Sequence, residues 1–296
     1  MGKKRVLGWV FYLTVLLITC IWAFWGAIEN FHEGWYDPSF WKNIGLMLIQ
    51  YMSPMFVFIF LTLLSVRNNK AGAALFLLCG VILSFLVNTF NFFVILPFFL
   101  LAVLSWFGEI GNKKIKYKIT VFLPLIVFVA FSIEPAYRVF TRLDDGNYRM
   151  RVITGNGVSL IWAPQGPGWP DSGVDWYEAD SLCRHLSEDG LTIMAHPQNI
   201  WRLPTVDEAV RSMYRHGKNC LGQLDKDGNP QYKIEPDKET PLWNPHARII
   251  YWWTRDTVDS AHAYTIAYNG KIWKREKRFG PDYLGFRAVK ESGEKN

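Results

Sequence analysis

Ionisable residues are missing from long stretches of this chain. Five runs within the first 134 residues hold no Asp, Glu, Lys, Arg or His: Val6–Ile28, Asn43–Val66, 71–88, 91–107 and Ile119–Ile133. Proton relays and many ion pathways set such groups at membrane depth, so their absence argues against a proton-coupled transporter. A channel lined by backbone or by Asn and Ser stays open. Cysteine is also scarce. Only Cys20, Cys79, Cys183 and Cys220 occur, too few for a disulfide scaffold. The first two lie in apolar runs, where a free thiol behaves as a small hydrophobe. Three catalytic signatures are absent as well: a Ser-His-Asp order, a phosphate-cradling Gly loop and a dinucleotide fingerprint.

The apolar runs themselves have the dimensions of membrane spans. A hydrocarbon core about 30 Å thick needs about 20 apolar helical residues. Lys3, Lys4 and Arg5 precede the first run. Its apolar stretch is longer than that of a signal peptide, it has no A-x-A site and further runs follow, so it reads as an uncleaved anchor. As a single helix, 71–107 would extend about 55 Å, too far for one crossing. Asn88-Thr89-Phe90-Asn91 supplies turn residues at its middle, which gives a helical hairpin. Lys118 can snorkel to lengthen the short last run. The expected spans are therefore 6–28, 43–66, 71–88, 91–107 and 118–134.

Charge placement tests that count. Five spans put Lys3, Lys4, Arg5, Arg67, Lys70, Lys113, Lys114, Lys116 and Lys118 on one side, with only Lys42 in the short loops opposite. Lys and Arg resist translocation, so the N-terminus is expected in the cytoplasm and residue 135 onward at the outer face. Most of Trp9, Trp22, Trp25, Trp35, Trp41 and Trp106 lie near run ends, as interfacial anchors do. Membrane lipid is the first expected partner. Residues 1–134 hold 10 Lys+Arg against 5 Asp+Glu, whereas 135–296 hold 22 against 21. The basic balance thus belongs to the membrane half, and nucleic acid is not expected as a partner.

From about Pro135 the composition changes to frequent charge, Gly, Pro and Trp. The division expected is a transmembrane region 1–134, a linker 135–150, a soluble domain 151–290 and a tail 291–296. Residues 151–163 read as two strands around Gly155-Asn156-Gly157. Asp175 with Glu178 starts one helix, whose apolar stripe is Ala179, Leu182, Cys183 and Leu186. Thr205 with Glu208 forms the capping box of a second, striped by Val206, Ala209, Val210 and Met213. Short strands are expected at 248–254, 264–268, 271–274 and 285–289, with Asn269-Gly270 as a hairpin turn. The soluble half is therefore α+β and rich in loops.

Several short motifs occur in order along this half: Leu160-Ile161-Trp162, Trp176-Tyr177-Glu178-Ala179 leading to Cys183, Trp201-Arg202-Leu203-Pro204-Thr205 with Glu208, Tyr251-Trp252, and Gly285-Phe286-Arg287. The series resembles the C-terminal domain of the Lcl type, a bacterial extracytoplasmic module. It is more distantly similar to the formylglycine-generating-enzyme (sulfatase-modifying factor) family. Both resemblances imply a C-type-lectin-like fold over about residues 150–290 and say nothing of the membrane half. The expected architecture is thus a five-helix membrane bundle carrying a C-type-lectin-like α+β domain. Its expected place is a bacterial inner membrane, with the domain periplasmic or extracellular. By the same resemblance Arg202 and Arg287 orient strands and loops.

The enzyme family's chemistry does not follow. It uses a cysteine pair shortly before Gly-Phe-Arg to bind copper and activate oxygen, and no cysteine follows Cys220 here. Neither catalytic residues nor a cofactor are expected. Cys183 and Cys220 are candidates for a disulfide in an oxidising exterior, or for two unpaired thiols with Cys183 packed in the core. With His185 and His216 they offer zinc-binding residue types, but His185 falls off the stripe holding Cys183, so no metal is expected. Asp225-Lys226-Asp227-Gly228-Asn229-Pro230 lacks the Gly and the terminal Glu of a calcium loop and reads as a turn. Most of the eight tryptophans are expected in the core. Trp169 and Trp243, each beside Pro in loop sequence, are the expected exposed ligand contacts. The reading favoured by the sequence is a non-catalytic outer domain that binds a protein or glycan. The alternatives are a channel or transport subunit regulated by that domain, and a divergent enzyme.

Overall fold

A computed structural model describes residues 2–86 and 92–293. The chain divides into two compact units, one comprising Met1–Trp35 and Ser39–Tyr137, the other Tyr36–Pro38 and Arg138–Asn296. The turn expected at Asn88-Thr89-Phe90-Asn91 lies outside the described residues.

The first unit is helical. It contains α1 (Lys3–Glu33), α2 (Phe40–Leu46), a π-helical turn (Met47–Tyr51), α3 (Ser53–Arg67), α4 (Asn69–Leu86), α5 (Phe92–Phe107) and α6 (Lys113–Phe140). α1, α4 and α6 are each long and apolar enough to cross a membrane. The pair Phe40–Tyr51 and Ser53–Arg67, bent by 54°, makes a fourth crossing if counted as one span. α5, with 16 residues, is a shorter apolar helix. The run expected as a span over 43–66 is therefore bent at a break. Pro54 sits in the first turn of α3, where it has no N–H to donate and its ring opposes the carbonyl four residues earlier. The π-helical turn directly before it absorbs the mismatch. α6 runs on through Pro124 and Pro135 to Phe140, so the first residues expected as linker are helical.

Packing in this unit uses aromatic and small residues. Phe11, Val15, Leu61 and Phe76 are buried, while Leu13, Leu17 and Ile21 on the same α1 are more than half exposed. A helix in water would show polar residues there. Hydroxyls in the helices turn back onto their own backbone: Thr19 Oγ1 donates to the Val15 carbonyl at 2.7 Å and Thr62 Oγ1 to Phe58 at 2.6 Å. Such bonds satisfy polar side chains where water is excluded.

The second unit is α+β. β1 (Arg151–Gly155) and β2 (Val158–Trp162) form an antiparallel hairpin. Asn156 and Gly157 at its tip have positive φ, 51° and 80°, the backbone that a tight hairpin turn demands. α7 (Trp176–His185) starts at Asp175, whose carboxylate accepts the Glu178 N–H at 2.9 Å. α8 (Val206–Ser212) starts with the reciprocal box of Thr205 and Glu208. Two small ladders follow, β3 (Tyr214–Arg215) with β4 (Lys218–Asn219), and β5 (Gln223–Leu224) with β6 (Pro230–Gln231).

β7 (Tyr251–Thr257), β8 (His262–Ala267), β9 (Ile272–Glu276) and β10 (Leu284–Gly285) make a sheet in the order β10-β7-β8-β9, in which only β10 and β7 run parallel. The Asn269-Gly270 turn joins β8 to β9, with Gly270 at φ 78°. The last strand, β11 (Val289–Glu291), returns to pair with β2. The region expected as one strand at 285–289 is thus split between two sheets by Phe286-Arg287-Ala288. Both helices turn their expected stripes inward: Ala179, Cys183, Leu186, Ala209, Val210 and Met213 are fully buried.

Candidate functional site

The second unit is built on a tryptophan core. Trp162 ends β2 and Trp252 lies on β7, with ring centroids 5.6 Å apart. Trp243 stacks on Trp252 at 3.6 Å and 10°, and Trp169 meets the same ring edge-on at 6.5 Å. Trp169 and Trp243, expected as exposed ligand contacts, are only 3% and 2% exposed. The expectation is corrected by the way their loops fold. Both loops turn inward, and each indole covers a face or an edge of Trp252 that the thin sheet leaves open.

Arg287 lies inside this core with no exposed surface. Its Nε donates to the Ala163 carbonyl at 2.8 Å, and one Nη donates to Pro241 at 2.9 Å and Leu242 at 2.6 Å. The guanidinium carbon sits 3.7 Å from the Trp169 ring centroid. Burial pushes its pKa well down. The fork joins the end of β2, the 241–242 loop and Trp169. Beside it, Gly285 pairs in parallel with Trp252, and Phe286 is fully buried.

Arg202 works at the surface of the same unit. It forms a forked pair with Glu208 at 2.7 and 2.6 Å and reaches Glu291 at 2.6 Å. Its backbone exchanges hydrogen bonds with Val289 at 2.9 and 2.8 Å. Burial alone would raise the Glu208 pKa, but the Arg202 hydrogen bonds and the Thr205 N–H hold it below the ordinary value. Leu203 is buried, and the Pro204 carbonyl accepts from the Arg255 N–H at 2.9 Å. Trp176 donates its indole N–H to the Thr254 carbonyl at 2.8 Å.

Cys183 and Cys220 are separate free thiols, both buried, so the candidate disulfide is not formed. Cys183 faces the core from α7. Cys220 lies between β4 and β5, tied by its N–H to Met213 and by its carbonyl to Lys233 and Ile234. Burial pushes the Cys183 pKa well up and that of Cys220 up to about 12, which suppresses the reactive thiolate. The two neighbouring histidines are engaged elsewhere. His185 Nδ1 lies 2.9 Å from the Ser181 carbonyl, and the His216 ring lies 3.4 Å from Glu239. Asp225 accepts the Asp227 and Asn229 N–H groups at 2.9 Å and closes a turn.

Two features are missed by sequence reasoning. The first is a buried charge network. Asp237 receives Arg142 at 3.0 Å and is also paired with Arg215, while Lys238 donates to the Ala247 carbonyl. Burial raises the Asp237 carboxyl, but Arg142, the Lys238 N–H and Arg215 together outweigh it and leave its pKa low; burial pushes Lys238 well down. Asp237, Lys238 and Glu239 are three charged residues in a row, yet all three are nearly inaccessible. Through Arg142 the segment after α6 is tied into the second unit. Thr240 adds to the tie by donating its N–H to the Leu143 carbonyl at 3.1 Å.

The second feature is an apolar loop. Every residue of 191–200 is exposed, including Leu191 at 56%, Met194 at 41% and Ile200 at 39%. The loop has fixed backbone ties: Met194 N–H to His185 carbonyl at 2.7 Å, and Gln198 and Asn199 N–H to Arg184 carbonyl at 2.7 and 3.0 Å. Next to it in sequence, Ser187, Glu188 and Asp189 line a shallow depression of about 580 Å³ with Met150 and Lys290. Lys290 Nζ donates to the Glu188 carbonyl at 2.7 Å. The signal available in sequence was Leu191, Ile193 and Met194 standing together after the end of α7 with no stripe to join.

Among the described residues no group of three or more His, Cys, Asp or Glu side chains is placed to hold a metal. Comparison with family models, with curated proteins and with solved structures finds no match for this chain.

Proposed function

We propose that this chain is a multi-pass membrane protein that displays a non-catalytic binding domain outside the cytoplasm, and that loop 191–200 contacts a protein partner there. Five spans with a cytoplasmic N-terminus remain the topology that best agrees with the placement of Lys and Arg. The motif series resembling the Lcl C-terminal domain and the formylglycine-generating-enzyme family supports a C-type-lectin-like fold and a bacterial inner membrane. Trp169 and Trp243, expected as contacts to a protein or glycan, are core residues, which moves the reading to the exposed apolar loop.

One observation carries the reading: an ordered loop holds Leu191, Ile193, Met194 and Ile200 in solvent. Exposed apolar groups on a backbone held by its own hydrogen bonds are a feature of interaction sites. The test is site-specific photo-crosslinking from Leu191 or Met194 of the full chain in intact cells. A discrete adduct that disappears in Leu191→Asp supports the proposal. No adduct from either position, or a C-terminal reporter found in the cytosol, sinks it.

A further inference from the structure

The segment after the Asn269-Gly270 turn concentrates charge of one sign. Lys271, Lys274, Arg275, Lys277 and Arg278 stand within eight residues that hold one acid, Glu276, although the second half as a whole is close to neutral. Most of this segment is β9, which ends the sheet in the order β10-β7-β8-β9.

In an antiparallel ladder the backbone groups of successive residues point alternately to the partner strand and away from it. The Lys271 carbonyl accepts the Ala267 N–H at 2.8 Å, and the Lys277 N–H donates to the Ala261 carbonyl at 2.8 Å. The register between them, from Ile272 opposite Ile266 to Glu276 opposite His262, is unbroken. The odd-numbered residues of β9 therefore face β8. The N–H and carbonyl of Ile272 and Lys274, and the N–H of Glu276, point to the open side. The Glu276 carbonyl is already taken by the Phe279 N–H at 3.0 Å.

The side chains select what can pair with this edge. Lysine on an edge strand discourages a neutral or basic strand. Self-pairing is disfavoured as well. Two copies of β9 in the antiparallel register that engages all the outward groups would set Lys274 opposite Lys274, and like charges directly opposite are destabilising. An acidic strand gains from the same lysines. Lys274 meets Asp259 at 3.3 Å in an exposed pair, a weak contact that an incoming carboxylate can replace, while Lys271 and Arg278 are exposed. Trp273, between Lys271 and Lys274 in the strand, is 47% exposed. Guarding an edge requires no large ring, whereas tryptophan and arginine are enriched among the residues that carry binding energy.

We infer that β9 is the docking edge for an extended acidic segment of a protein partner. The segment adds as a further strand beside β9. Its backbone bonds to Ile272, Lys274 and Glu276, and its carboxylates meet Lys271, Lys274 and Arg278 around Trp273. This edge depends neither on loop 191–200 nor on the side of the membrane that the unit occupies.

The test pans a random heptapeptide library on the detergent-purified full chain and measures the selected peptide by fluorescence anisotropy. Enrichment of Asp and Glu among β-forming residues is expected. Lys271→Glu combined with Lys274→Glu should weaken binding about tenfold or more, and added salt should weaken it in step. Glu276→Pro separates strand pairing from simple attraction. It removes an acid, so attraction alone would tighten binding. It also removes an outward N–H at an edge position where proline is tolerated, so pairing requires a loss, again about tenfold. Methylating alternate backbone nitrogens of the peptide leaves the protein untouched. One set should abolish binding, and the other, which faces away from β9, should preserve it. Equal binding of both methylated forms, or tighter binding to Glu276→Pro, overturns the inference in favour of a basic patch for any anion. Phosphatidylglycerol vesicles or a DNA oligonucleotide should then displace the peptide. Selection of sequences without acids, or no selection at all, overturns it too. Leu191→Asp is expected to leave the affinity unchanged.

Discussion

Replacing Arg287 by Met sets two large terms against each other. The methionine has similar reach and removes the cost of burying an ion, which is several kcal/mol after relaxation. It also removes three hydrogen bonds to the carbonyls of Ala163, Pro241 and Leu242. Hydrogen bonds from a charged donor contribute roughly 1.5–3 kcal/mol each, and the Ala163 and Leu242 carbonyls left behind belong to buried residues. The stacking of the guanidinium on Trp169 is lost in addition, worth about 2 kcal/mol when desolvated. The losses outweigh the relief, and a net destabilisation of about 2–4 kcal/mol is expected. Against a typical stability of about 5–15 kcal/mol this is a large fraction. The assay is urea unfolding of the full chain in detergent, read by pulse proteolysis of the second unit. At a slope of about 2 kcal/mol per molar urea, the midpoint should fall by about 1–2 M. A midpoint equal to or above wild type would refute the reasoning, because it would mean that desolvating the ion costs more than its three acceptors return.

Trp243→Ala should lower the same midpoint by at least as much, since truncating a buried tryptophan costs about 3–5 kcal/mol; a variant that loses binding but keeps its midpoint would return Trp243 to the role of ligand contact. Glu208 has a folded pKa below its unfolded value, so its stabilisation is present above the unfolded pKa and is lost as pH falls through the folded one. Between about pH 7 and about pH 3 wild type should therefore lose more stability than Glu208→Gln, and equal losses would contradict the Arg202 pairing. In a Cys20→Ser, Cys79→Ser background, maleimide should label Cys183 and Cys220 only after unfolding and with no need of a reductant. Rapid labelling of the native chain, or labelling that requires reduction, would contradict two buried free thiols.

Much of the local structure is legible in the sequence because it is set by local chemistry. Asp175 and Thr205 start helices because their side chains reach N–H groups three residues on. Gly155-Asn156-Gly157 and Asn269-Gly270 turn because their backbones tolerate positive φ. The candidate sites are less legible because burial is a property of the whole chain. Trp169 and Trp243 stand beside Pro in sequence that looks like surface, yet Trp169 is drawn inward by the distant Trp252 and Arg287, and Trp243 folds back onto Trp252. The burial of Asp237-Lys238-Glu239 is hidden in the sequence for the same reason. It depends on Arg142 and Arg215, which lie 95 and 22 residues away from Asp237. The bend before α3 had a local signal in Pro54. The π-helical turn that accompanies it has none, since any apolar sequence can adopt it.

The pairing of β11 with β2 has a consequence for how the second unit is made. Strand β2 is synthesised more than a hundred residues before its partner, and until Val289 arrives its outer edge has nothing to bond. Arg287, which joins β2 to the loop at 241–242, comes equally late. The emerging chain must therefore wait, with its tryptophans unsheltered, for a closing segment only a few residues long. A chain stopped before that segment would lack both the strand that pairs with β2 and the fork of Arg287, and its interior would stay open.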